Sequence, residues 1–69
     1  MEELNILVTE RRLRIFRGSK EVLDKSSQVP GRIQKSSPEY ERWNRLREIA
    51  LLEWKTYCIE KINKIIKEE

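Results

Sequence analysis

The sequence predicts a mostly α-helical chain in which a long C-terminal amphipathic helix is packed by an N-terminal helical segment. Three observations lead to this fold class. No glycine or proline follows Pro38. At 100° per residue, the apolar side chains of that stretch gather on one broad face. The segment Glu2 to Arg17 has glutamates at its start, arginines at its end, and Gly18 where a left-handed residue would close a helix.

The long helix is expected to begin at Ser37-Pro38-Glu39. There a serine can cap, proline fits the first turn without losing a needed N–H, and the acidic residue complements the helix dipole. Lys61, Lys64 and Lys67 stand at the other end, where cations are favoured. The span 38–68 corresponds to roughly 45 Å at the standard rise. Tyr40, Trp43, Leu46, Ala50, Leu51, Trp54, Tyr57, Cys58, Ile62 and Ile65 fall on its main apolar face, interrupted by Arg47 and Lys61. A second row, Leu52, Ile59 and Ile66, repeats every seven residues beside the first and widens the apolar arc.

The N-terminal stretch admits a second reading. As a helix, Leu4, Leu7, Val8 and Ile15 point one way while Ile6, Leu13 and Phe16 point the other. The alternative is an α+β chain with an N-terminal β-hairpin, Leu4 to Val8 and Leu13 to Arg17 being strands and Thr9 to Arg12 the turn, because Arg12-Leu13-Arg14-Ile15 alternates strictly. That turn lacks Gly, Asn and Asp, which counts against a tight hairpin. Ser19 is read as the cap of a short helical turn through Lys20 to Lys25. The serine pairs and Pro30-Gly31 mark a loop. The organisation is thus one small domain over 1–69: a basic segment at 1–25, a loop at 26–37 and the long helix at 38–68.

A chain of 69 residues builds only a small core, so oligomerisation or a partner is expected to complete it. Cys58 is the only cysteine and there is no histidine, which removes zinc clusters, Cys–His dyads and Ser–His–Asp triads together. The two glycines stand apart and form no phosphate loop. No catalytic residue, cofactor, metal or small-molecule substrate is therefore expected. The lone cysteine, read as a buried structural thiol, and the acidic start Met1-Glu2-Glu3 suggest a cytoplasmic protein with no membrane partner.

The expected function is binding: a small non-enzymatic regulatory or inhibitory protein that engages a larger protein, and itself as a homo-oligomer, through the amphipathic helix. The candidate partner-binding residues are Trp43, Arg47 and Trp54, since Trp and Arg dominate interfaces where they are desolvated, with the row Leu52, Ile59 and Ile66. An alternative is a nucleic-acid-binding regulator. Residues 1–37 hold eight Lys/Arg against five Asp/Glu, and Arg11, Arg12, Arg14, Arg17 and Lys20 form a basic cluster suited to phosphate. A third reading is a structural assembly subunit.

Overall fold

The computed structural model describes residues 3–68; Met1 and Glu2 of the acidic start, and Glu69, lie outside the described residues. Three strands, β1 (Leu4–Val8), β2 (Arg12–Arg17) and β3 (Lys20–Ser26), form an antiparallel meander in the order β1-β2-β3, followed by one helix, α1 (Tyr40–Lys67). The expected N-terminal helical segment is not formed, and the mostly α fold class is corrected to α+β. The hairpin alternative fits, and a third strand replaces the short helical turn expected at Ser19 to Lys25.

The physical reason is the periodicity of β2. Its buried residues are Leu13 and Ile15, two apart, while Arg12 and Arg14 alternate between them and face away from the helix. Register Ile6↔Ile15 and Val8↔Leu13 places Leu4 and Ile6 on that same inner side. A helix would have split these residues over two faces; strand pairing collects them on one.

Both turns use residues that the helical reading had assigned otherwise. Across the first, Thr9 N donates to Arg12 O at 3.0 Å. Its Oγ1 accepts from the backbone N–H groups of Arg11 and Arg12 at 3.1 Å each, so a threonine side chain substitutes for the missing glycine or asparagine. Across the second, Arg17 pairs with Lys20 over the two residues Gly18-Ser19, and Gly18 has φ 62°. Glycine at the first central position of a two-residue hairpin loop is the type II′ requirement. The left-handed tolerance read as a helix stop is thus spent on a strand reversal. Gly18→Ala is expected to cost about 1–2 kcal/mol in chemical denaturation. Gly31→Ala is expected to be near neutral, because a Cβ there meets nothing nearer than the Arg11 guanidinium at 4.0 Å.

The long helix forms as one unbroken element, two residues later than expected. Ser37-Pro38-Glu39 makes a turn of its own, in which Ser37 N donates to Gln34 O at 3.0 Å and Tyr40 N to Ser37 O at 3.1 Å. Glu39 is the N-cap residue without a side-chain cap, and Lys64 and Lys67 occupy the last turn. The helix lies across the inner face of the sheet. Leu13, Ile15, Trp54 and Cys58 make the buried core, flanked by Leu4, Ile6, Leu23, Val29, Tyr57, Ile62 and Ile65. Among the described residues no helix is long and apolar enough to cross a membrane.

Candidate protein-docking surface

The six residues proposed for partner binding separate into two groups. Trp54 is 8% exposed and belongs to the core; its Nε1–H donates to Thr9 O at 2.7 Å, and its ring stacks on Tyr57 with centroids 5.6 Å apart. Arg47 is 7% exposed, donates from Nε to Pro30 O at 3.1 Å, and ion-pairs with Glu10 at 2.7 Å. Trp43 is half-buried and donates from Nε1 to Gly31 O at 2.9 Å. All three tie α1 to carbonyls of the preceding chain. Large side chains with polar tips serve this purpose because each buries an apolar body while satisfying a backbone acceptor that would otherwise lose water.

Leu52, Ile59 and Ile66 stand on the other side of the balance. They are 67%, 59% and 50% exposed. With Ile49, Thr56 and Asn63 they make a charge-free stripe along the solvent side of α1, about 25 Å long at the helical rise. The stripe adjoins a groove of about 460 Å³ between α1 and the β1–β2 turn, lined by Val8, Leu51, Trp54, Cys58, Ile59 and Ile62. Sequence periodicity found the stripe. Leu51 and Ile62 were placed on the main apolar face by the same periodicity; Val8 was not, because only the folding of β1 against the helix brings it beside them.

Cys58 forms the floor of this groove. Burial pushes its thiol above the usual range, which makes it a weak nucleophile and a small apolar packing group.

The basic cluster is divided by strand geometry. Arg12 and Arg14 lie on the outer face of the sheet, Arg11 in the first turn, and Arg17 and Lys20 at the second. Each outer-face arginine meets a carboxylate: Arg12 Nε donates to Asp24 at 2.7 Å, with a second bond from its NH2 group, and Arg14 pairs with Glu21 at 2.9 Å. The Arg12 guanidinium holds the Asp24 carboxyl below its usual range. Arg14 also sits 4.9 Å from the centroid of the Phe16 ring.

Compared with known proteins, the chain matches no family model, no curated relative and no solved structure.

Proposed function

We propose that this protein is a small non-enzymatic regulatory binding module that engages protein partners through the β1-facing side of α1, where the Leu52, Ile59, Ile66 row meets the Val8, Leu51, Ile62 groove. The observation that carries the reading is the exposure of that heptad-spaced row at 67%, 59% and 50% on a helix whose other side packs Trp54 and Cys58 against Leu13 and Ile15. Single exposed aliphatics are ordinary; a contiguous apolar row beside an apolar groove is the kind of patch that marks a protein contact. Its mechanism is occlusion, the row covering a surface that the target needs.

The nucleic-acid alternative draws less support, because Arg12 and Arg14 are already neutralised by Asp24 and Glu21 on the one face where they could act together. Phosphate would have to displace both carboxylates.

Ile59→Asp combined with Leu52→Asp tests the proposal. Both side chains are exposed, so the far-ultraviolet circular dichroism and the unfolding midpoint are expected to stay close to wild type. Proteins retained from the source cells by the wild-type chain are expected to be lost by the double variant. Equal retention by both chains would overturn the assignment of this surface.

A further inference from the structure

The sheet has two open edges, and they differ in the one property that decides whether an edge pairs. β3 carries Lys20, Glu21, Asp24 and Lys25, and its pairing with β2 shifts register between Ile15 and Phe16. Charge and a bulge are the devices by which proteins blunt an edge. β1, Leu4-Asn5-Ile6-Leu7-Val8, has no charge, no proline and no bulge.

Its hydrogen-bonding direction follows from the turns. Gly18 N donates to Glu3 O at 2.8 Å and Thr9 N to Arg12 O at 3.0 Å, so residues 3, 5, 7 and 9 bond toward β2. The N–H and C=O groups of Leu4, Ile6 and Val8 therefore point outward along the free edge. This edge lies beside the apolar groove and the exposed helix row.

The surface area states how much is left to cover. A compact monomer of 8.4 kDa exposes about 4,600 Å², whereas this chain exposes 5836 Å². The surplus of roughly 1,200 Å² exceeds the about 800 Å² that each partner contributes to a standard interface. The radius of gyration, 15.4 Å, against about 11 Å for a compact chain of this length, describes the same incompleteness.

We infer that β1 pairs antiparallel with β1 of a second copy about a twofold axis through Ile6, giving a continuous six-stranded sheet. This rests on the reading of the β1 side of α1 as a docking surface and names its first occupant. The register centred on Ile6 is the one that satisfies all three outward residues: Ile6 meets its symmetry mate, and Leu4 meets Val8 of the copy. No residue within β1 is charged, so a self-match brings no like charges into the pair. With the axis normal to the sheet, both helices lie on one face, with Ile59 of each beside the groove that borders the paired strands.

The test joins sedimentation velocity with amide exchange. Wild type is expected to show monomer and dimer in concentration-dependent balance. The Ile6 and Val8 amides, which point outward along the free edge of the monomer, should gain protection as dimer forms; Asn5 and Leu7 are protected in both states. A synthetic chain with an N-methyl group on Ile6 keeps every side chain but removes the two central donors of the pair. It should raise the dissociation constant at least about tenfold, with unchanged circular dichroism. Should that chain fail to fold, the wild-type amide pattern alone decides. A dimer in which Ile6 and Val8 exchange freely overturns edge pairing and leaves the helix surface standing. A chain monomeric up to about 1 mM overturns self-pairing, and the Leu52→Asp, Ile59→Asp experiment then stands alone as the test of the helix surface. Growth beyond dimer would show β3 pairing as well and would overturn the contrast between the edges.

Discussion

Trp54→Ala is expected to unfold the protein. Truncating a buried tryptophan removes about 3–5 kcal/mol, and a single core in a chain below 70–80 residues rarely supplies more than about 3–5 kcal/mol in total. Trp54 is one of four buried apolar residues among the described residues, it stacks on Tyr57, and its indole N–H closes the first turn through Thr9 O. One substitution thus opens the core, frees the carbonyl and unlocks the β1–β2 turn. Far-ultraviolet circular dichroism should show loss of the cooperative transition, and Trp43, the remaining tryptophan, should report a water-exposed emission. Trp54→Phe preserves much of the ring and is expected to fold with reduced stability. A wild-type melting curve for Trp54→Ala would refute the assignment of this side chain to the core.

Arg47→Ala is expected to cost roughly 2 kcal/mol, from the Pro30 carbonyl left without its donor and the packing of the buried stem. The Glu10 carboxylate is partly exposed, so losing the ion pair adds little beyond this. Arg47→Met retains the stem and should recover part of the loss. The pair also has a signature in acid. Hydrogen bonding to Arg47 holds the Glu10 carboxyl below its usual range. A depressed folded value means that its contribution is present above the ordinary carboxylate range and is lost as the pH falls from about 5 through the folded value. Asp24, lowered by Arg12, acts in the same direction. Stability of wild type should therefore decline on acidification, and Arg47→Ala should show a shallower decline because the Glu10 share is already gone. Denaturation midpoints at pH 7 and at pH 3 to 4 read this directly; parallel acid limbs in the two proteins would remove Glu10 from the account.

The uses of Trp43, Arg47 and Trp54 show where periodicity stops being informative. Helical spacing correctly put all three on one face. It could not say whether that face meets a partner or the protein's own first thirty-one residues, because the difference lies in three carbonyls, at Thr9, Pro30 and Gly31, that come into reach only when the chain folds back. The row Leu52, Ile59 and Ile66 was legible for the opposite reason: nothing among the described residues covers it, so its place on the helix decides its exposure. The basic cluster was regrouped by the change of element: Arg12 and Arg14, on well-separated sides of a helix, share the outer face of β2, where Asp24 and Glu21 meet them.

The long helix, its two apolar rows and the loop around Pro30-Gly31 are legible in the order of residues alone. These follow from local rules: 3.6-residue periodicity over 28 helical residues, and backbone breakers placed only outside them. The conformation of residues 3–26 was left to packing against the helix. Its ends suit a helix and its middle suits strands, and local preferences that nearly cancel leave the choice to packing. The inner side of α1 supplies an apolar stripe centred on Trp54 and Cys58, and strand pairing presents Leu4, Ile6, Leu13 and Ile15 to it at once.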